Sequence, residues 1–381
     1  MVLLMTLGAL LAAGNGAVLS LLPDLQTRTG LPDAALGIVA AASFFAALIS
    51  QLGLARYADR GYARAMLLAA VVLGAAGSLV TALATVGWHL VAARLATGLA
   101  YGLFLPSARK IVVSMYPDSV AERLGRLLGV DIAGFVIGAP IAATAVSEWG
   151  VPRTFGVFAA VLALLLVPLA TLYLPPTPVV DRIAARGVMR RLAGRPQLRP
   201  AIALGAATFA TIGIFDTLWA RYLRDLGAST KFVAFTFLLF GLPMALLTGP
   251  LGKVADRHSP LRIARGGVAA TVPCLLAYGF VDNLGVLCVI ALLHSLIDAS
   301  NFPATQAAVA EHCGAGEVAA GQGLLSAVQV AVGGCTALAV APLYDRFGAP
   351  AAFGMGAALM TVACLLAQPE LRSAVHSDEP A

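Results

Sequence analysis

The sequence predicts an all-α membrane protein with twelve transmembrane helices in two pseudo-symmetric six-helix bundles. Three observations carry that prediction. Of the 381 residues, 60% are hydrophobic and 12% are charged, whereas an ordinary soluble domain carries about 25% charged residues. Apolar runs of about 20 residues, long enough to cross the hydrocarbon of a bilayer as helices, recur along the chain. The two halves also echo each other. Ala55-Arg56-Tyr57-Ala58-Asp59-Arg60 returns as Gly252-Lys253-Val254-Ala255-Asp256-Arg257, and Gly30 and Pro106 return as Gly227 and Pro303, all at an offset of 197. Gly150-Val151-Pro152 returns as Gly348-Ala349-Pro350 at an offset of 198. Ordered landmarks with one offset indicate two halves of like construction, which in a membrane protein points to a transporter with its site between repeats.

The runs are taken in order. Residues 1–22 are read as a retained helix rather than a signal peptide, because the first Lys or Arg is Arg28 and no basic leader precedes the apolar stretch. Met1 sits almost inside this run, which leaves open a start further upstream. Runs at 34–55, 65–84 and 88–106 follow, then 127–147 and 153–174, which complete an N-terminal bundle over 1–174. Residues 175–199 form a basic linker that opens Pro175-Pro176-Thr177-Pro178, carries six arginines and closes near Pro196 and Pro200. Its prolines interrupt the helical pattern, and its arginines suit a solvated face beside an anionic leaflet. The linker is expected to let the halves move. The C-terminal bundle, 200–367, holds runs at 200–222, 232–251, 263–281, 284–303, 319–341 and 350–367, and a tail occupies 368–381.

Basic residues orient the chain. With the N-terminus in the cytoplasm, the inner loops and tail hold 18 Lys and Arg and the outer loops hold 6. This excess predicts both termini and the linker on the cytoplasmic side. Trp88, Trp149 and Trp219 then fall at outer helix ends, where indoles favour the interface. The five cysteines show no ligand spacing and read as small apolar filler. The net charge of +6 is accounted for by basic membrane loops, and no nucleic-acid motif is present.

Several polar residues stand inside these spans. Arg94 lies about 9 Å along its helix from the outer end. A cation there costs roughly 2.5–3.5 kcal/mol on insertion scales, so it requires a partner or an aqueous cavity. A snorkelling interfacial arginine is the plain alternative. Asp131, Asp216 and Asp298 are the three acids within spans, the first and last toward inner ends and Asp216 toward the outer. An intramembrane carboxylic acid can take up and release a proton, and such residues mark ion pathways. His294 and Asp298 are four apart and share a helix face; two ligands are too few to imply a metal. Asn15, Tyr101, Asn301, Gln322 and Gln329 are further candidates for lining a substrate cavity, or for interhelical hydrogen bonds. Gly134 and Gly138, ahead of Pro140, allow close helix contact and a bend, read either as a gating element or as plain packing.

These residues together resemble the major facilitator superfamily over essentially the whole chain. Its loop signature, roughly Gly-x-x-x-Asp-Arg-x-Gly-Arg-Arg, is met by Gly252, Asp256 and Arg257 before His258-Ser259-Pro260 departs from it. The first copy keeps Asp59, Arg60 and Arg64, with Ala55 for the leading glycine and Gly61 one place early. The resemblance implies a latch in which each Asp meets a helix N-terminus and each Arg pairs with acids. Arg94-Leu95-Ala96-Thr97-Gly98-Leu99-Ala100-Tyr101-Gly102 is similar to the superfamily's Arg-x-x-Gln-Gly-x-Gly element, with Thr97 for Gln, and implies proton coupling through Arg94. Gly134-Phe135-Val136-Ile137-Gly138-Ala139-Pro140 resembles the exporters' Gly-x-x-x-Gly-Pro element, with Ala139 inserted.

The resulting expectation is a secondary transporter, a monomer in a bacterial inner membrane. It would exchange protons for small amphipathic or cationic molecules by alternating access, among membrane lipids and with no cofactor. Arg94, Asp131, Asp216 and Asp298 would couple protons. Asn15, Tyr101, Asp216, His294, Asp298, Asn301, Gln322 and Gln329 would meet substrate. Asp59, Arg60, Gly138, Pro140, Asp256 and Arg257 would gate. Proton-symport uptake of a sugar or other metabolite is the alternative. An intramembrane enzyme is disfavoured, since the chain has no HExxH or GxSxG, and the lack of a Walker motif disfavours ATP-driven pumping by this chain.

Overall fold

A computed structural model of the chain describes residues 1–54, 57–116, 120–171, 183–314 and 317–368. Among them the regular structure is entirely helical. In chain order the α-helices are α1 (Val2–Ser20), α2 (Leu22–Thr29), α3 (Leu36–Ile49), α4 (Ala63–Ala82), α5 (Gly87–Met115), α6 (Val120–Leu164) and α7 (Leu166–Thr171). They continue with α8 (Ile183–Ala193), α9 (Arg199–Asp225), α10 (Thr230–Arg257), α11 (Pro260–Phe280), α12 (Leu284–Glu311) and α13 (Val318–Leu366).

Ten helical stretches among the described residues are long and apolar enough to cross a membrane. Two of them, Arg126–Thr171 and Ala320–Leu366, run for 46 and 47 residues, about twice the length that one crossing needs. Each breaks at one glycine: Gly150 has φ 74°, ψ 167°, and Gly348 has φ 74°, ψ −172°. That region of backbone space is open essentially to glycine alone. Counting each bent stretch as two crossings gives the twelve expected, in a multi-pass membrane protein.

Local signals set the helix ends. Asn283 caps α12, its side-chain oxygen accepting from the amides of Gly285 and Val286 at 2.9 and 3.1 Å, the usual service of an N-cap amide. Pro260 opens α11, where its missing N–H is harmless. Gly30 closes α2 in the left-handed conformation, φ 64°. The helices outrun their apolar cores. α5 extends to Met115, α6 begins at Val120 and α12 ends at Glu311. Asp131 and Asp298 therefore stand a dozen or more residues inside their helices, deeper than their positions in the apolar runs suggested.

Two elements were not foreseen. α2 occupies the connection after the first crossing, and α8 occupies the basic linker. α8 is amphipathic, with Leu192 fully buried and Arg190 and Arg191 exposed. The remainder of the linker before α8, residues 175–182, lies outside the described residues, as do tail residues 369–381.

The chain divides into two compact units. The first comprises residues 1–180, 215–242 and 337–342; the second comprises 181–214, 243–336 and 343–381. In the first, α1 packs on α6 backbone to backbone. A Cβ on Gly134 or Gly138 would collide with the carbonyl oxygens of Ala9 and Ala13, and one on Gly16 with that of Phe135. Lipid gives helices no hydrophobic drive to associate, so this close van der Waals fit is what holds the pair. Leu4, Leu7 and Leu11 of α1 meet Met66, Leu67 and Val71 of α4 and Phe104 and Ile111 of α5 in one buried cluster. In the second unit α11 lies along α12, and Tyr278 of α11 packs at 5.4 Å from Phe353 of α13. α9 meets α13 where Gly213 touches the carbonyl of Gly333.

Trp219 corrects an expectation. It is 4% exposed, and its indole N–H donates to Thr236 Oγ1 at 2.8 Å. It is an interior residue of the first unit, not an interfacial anchor: a buried indole is tolerated where an acceptor meets its N–H. Trp88 and Trp149 are exposed, as interfacial anchors would be.

Candidate functional site

The first unit gathers five candidates on four helices. Arg94, eight residues into α5, is 2% exposed. One guanidinium N–H donates to Asn15 Oδ1 on α1, while its Nε meets no acceptor among the described residues. The charge of Asp216, on α9, acts on Arg94, yet the two side chains do not close into an ion pair. Seven residues on from Arg94, on the same face of α5, the Tyr101 hydroxyl donates to Asp131 Oδ2 on α6. Asp131 is 5% exposed, and its second oxygen has no donor among the described residues. Aromatic pairs occur on the same helices and on α10. Phe215 lies 5.2 Å from Trp219 and 6.2 Å from Phe240, and Phe135, one turn from Asp131, lies 6.1 Å from Phe237.

The second unit holds the other buried set. Along α12, His294 Nε2 lies 3.2 Å from Asp298 Oδ2, and Asn301 donates to Asp298 Oδ1 at 2.9 Å. The Tyr278 hydroxyl, on α11, approaches His294 Nδ1 at 3.4 Å. All four residues are at most 3% exposed. The Asn301 side-chain oxygen Oδ1 has no donor among the described residues and presses against Gly267, where a Cβ would not fit. Tyr278 was not anticipated: it lies on another helix, and nothing local in the sequence marks it. Gln329 is buried against Gly205 of α9. Gln322 donates to the Gln306 carbonyl at 2.8 Å, an interhelical bond between α13 and α12.

The gating candidates divide. Gly138 is a close-packing residue against α1, and Pro140 is half-buried within α6. Asp59 and Arg60 fall in a single π-turn, Ala58–Tyr62, and Asp256 and Arg257 end α10; the side chains of these four lie outside what is described. Among the described residues no group of three or more His, Cys, Asp or Glu is placed to hold a metal.

The second unit also binds the linker helix. Glu317 receives Arg191 at 3.0 Å and Arg195 at 2.8 Å, and accepts the Gly314 amide at 3.1 Å. Arg195 also reaches the His312 carbonyl at 3.2 Å. The Gly314 amide above all, with burial opposing it and the two arginines adding to it, holds the Glu317 carboxyl below the usual 4.5.

The Major Facilitator Superfamily model matches residues 4–218 and 201–380. The chain is 26% identical over 313 residues to the 4-hydroxybenzoate transporter PcaK of Pseudomonas putida, spanning 71% of this chain and 68% of that relative. It is 25% identical over 279 residues to multidrug resistance protein MdtG of Enterobacter lignolyticus, spanning 71% of this chain and 66% of the relative. Two solved structures share the fold. One is a bacterial homologue of the human lysosomal transporter Spinster in an inward-facing, occupied conformation, with TM-score 0.78 at 15% identity, covering 97% of this chain and 96% of that one. The other is a D-xylose-proton symporter, with TM-score 0.77 at 17% identity, covering 96% of both chains. A twelve-crossing helical chain with buried intramembrane charges, matched over both halves by one family model, is a transporter and not an enzyme: it belongs to the Major Facilitator Superfamily.

Proposed function

We propose that this transporter couples protons to the export of small amphipathic or cationic molecules by alternating access. The observation that carries the reading is the set of three carboxylates in membrane-crossing helices, each accompanied by polar or charged groups. Asp131 accepts from Tyr101, Asp216 faces the charge of Arg94, and Asp298 lies between His294 and Asn301. Only a ligand that binds two conformations differently can shift them. A proton on any of these acids changes the local charge by one unit and so meets that requirement.

Export is supported by the glycine-proline element of α6 and by the similarity to MdtG. Uptake by proton symport is the second reading, supported by the similarity to the 4-hydroxybenzoate transporter PcaK and by the D-xylose-proton symporter's fold. In either case the chain would sit in a bacterial plasma membrane with both termini in the cytoplasm, as the 18 inner and 6 outer basic residues favour.

Proteoliposomes with an imposed pH gradient, tested against a compound panel, decide the matter. Substrate movement opposite to the proton flow supports export, and movement with it supports uptake. Flux indifferent to the gradient for every transported compound sinks the coupling. Cysteine labelling at position 187 from outside intact cells would overturn the orientation.

A further inference from the structure

Two segments of the second repeat, residues 215–242 and 337–342, fall in the first compact unit with the first repeat. Contact between the repeats is close there. Ala139 and Ala143 of α6 pack with Ala234 of α10, and Ala40 and Ala41 of α3 pack with Ala337 of α13. A Cβ on Gly37 would collide with the Ala337 carbonyl oxygen. At this end of the crossings, the outer end on the orientation proposed above, the repeats are shut against each other.

Polar groups at the rim join the same parts. Asp33, in the connection between the first two crossings, accepts from Gln26 at Oδ1 and from Arg221 of α9 at Oδ2, the latter at 3.0 Å. Arg221 Nε also lies 3.8 Å from Asp225 Oδ2, four residues on along α9. Beside them the Thr230 hydroxyl, at the start of α10, donates to Asp24 of α2 at 3.2 Å and accepts from Arg224 at 3.3 Å. The Arg221 side chain is 13% exposed, whereas Asp33 and Asp225 are 56% and 48% exposed. One sheltered cation thus has two acid partners, one from each repeat. Asp33 belongs with the first repeat and is held there by Gln26. Asp225 shares a helix face with Arg221 and moves with it.

We propose that Arg221 is a gating residue that holds this end closed through Asp33 and passes to Asp225 when the end opens. Leaving a sheltered charge without a partner is costly. The exchange replaces one ion pair by another, so neither conformation strands the guanidinium. The two acids therefore act in opposite directions: Asp33 favours the closed arrangement and Asp225 the open one. The inference rests on the alternating-access part of the reading above and not on its proton coupling.

The test uses the purified full-length chain in detergent, which exposes both ends equally. Ala234→Cys is the reporter, because Ala234 is 1% exposed and is uncovered only when α10 parts from α6. Its rate of reaction with N-ethylmaleimide, an uncharged reagent, follows the open fraction. Mass spectrometry of the peptide that holds position 234 separates it from the five native cysteines. Asp33→Asn should raise the rate by about two- to fivefold, the range of a solvent-exposed ion pair, and Asp225→Asn should lower it by a similar factor. With Arg221→Gln present, both effects should vanish, since each acid acts through the arginine. Should Ala234→Cys fail to fold, Ala143→Cys reports from the facing helix. Equal rates in all variants, shifts of one sign for both acids, or shifts that persist with Arg221→Gln would overturn the proposal. The two readings fail separately. Proton-driven flux without the opposite shifts removes this inference and leaves the coupling. Opposite shifts without proton-linked flux do the reverse.

Discussion

Gly150 and Gly348 hold the same backbone bend, φ 74° with ψ 167° and φ 74° with ψ −172°, at matching points of the two repeats. Each turns one continuous helical stretch into two crossings, and each precedes a proline two residues on, Pro152 and Pro350. The 198-residue echo in the sequence is therefore a conformational requirement met twice. Gly150→Ala or Gly348→Ala should cost about 1–3 kcal/mol, the strain of a side chain in that region. Gly156→Ala is the control, since a Cβ there meets nothing within 4 Å and its φ is ordinary. Thermal unfolding in detergent should show both bend variants melting below the control. Equal melting would mean the bend relaxes without strain.

Neutralising the intramembrane acids tests the coupling directly. Asp131→Asn, Asp216→Asn and Asp298→Asn each remove one intramembrane carboxyl group, and at least one should flatten the pH profile of flux. Tyr101→Phe removes the hydroxyl that donates to Asp131 and should shift the profile where Asp131→Asn abolishes it. If all three Asn variants keep native flux and pH profile, a facilitator or a differently coupled carrier is the better account.

Arg94→Ala should abolish substrate-induced proton movement, because Asp216 then loses the charge that faces it. Proton release or uptake on substrate addition, followed with a pH dye in unbuffered detergent solution, measures this. Unchanged proton movement would reduce Arg94 to a structural cation.

Asp59 should act as half of a latch. The duplicated Asp-Arg loop motivates the expectation, because topology requires only the basic residues. Asp59→Asn should lower flux by about two- to fivefold at equal expression, in keeping with the loss of about 0.5–1 kcal/mol of helix-end interaction from one conformation. Native flux from the variant would leave the loop an orientation signal only.

The clasp on α8 should depend on pH in a defined sense. The Gly314 amide, Arg195 and Arg191 depress the Glu317 carboxyl below 4.5. A depressed acid contributes its stabilisation fully above the unfolded value and loses it as pH falls through the folded one. α8 should therefore stay docked from neutral pH down to about 4.5 and loosen below it. Glu317→Gln should loosen it at neutral pH. Hydrogen exchange across residues 183–193 reads both, and slow exchange in the Gln variant would show that Leu192 and its apolar neighbours hold the helix alone.

The single residues of the site were easy to see because hydrocarbon makes polar groups conspicuous. Arg94, Asp131, Asp216, Asp298, His294 and Asn15 each interrupt an apolar run, and hydropathy alone exposes them. The i, i+4 spacing of His294 and Asp298 even revealed one contact, since helix geometry fixes it. Trp219 misled for a related reason: an indole near the end of an apolar run looks interfacial whether or not Thr236 waits for its N–H. α8 was hidden by prolines on both sides of the linker, although its arginines lie on a helical face.

The twelve crossings, the two-fold repeat and the membrane class follow from composition and periodicity, because a bilayer accepts only backbone that satisfies its own hydrogen bonds. The pairings needed the packed chain. Asn15 meets Arg94 across 79 residues, Tyr101 meets Asp131 from another helix, and Tyr278 reaches His294 from α11. Helix rotation and close approach, set by small residues such as Gly16, Gly134 and Gly138, decide which polar groups face one another, and no period in a single chain encodes that angle.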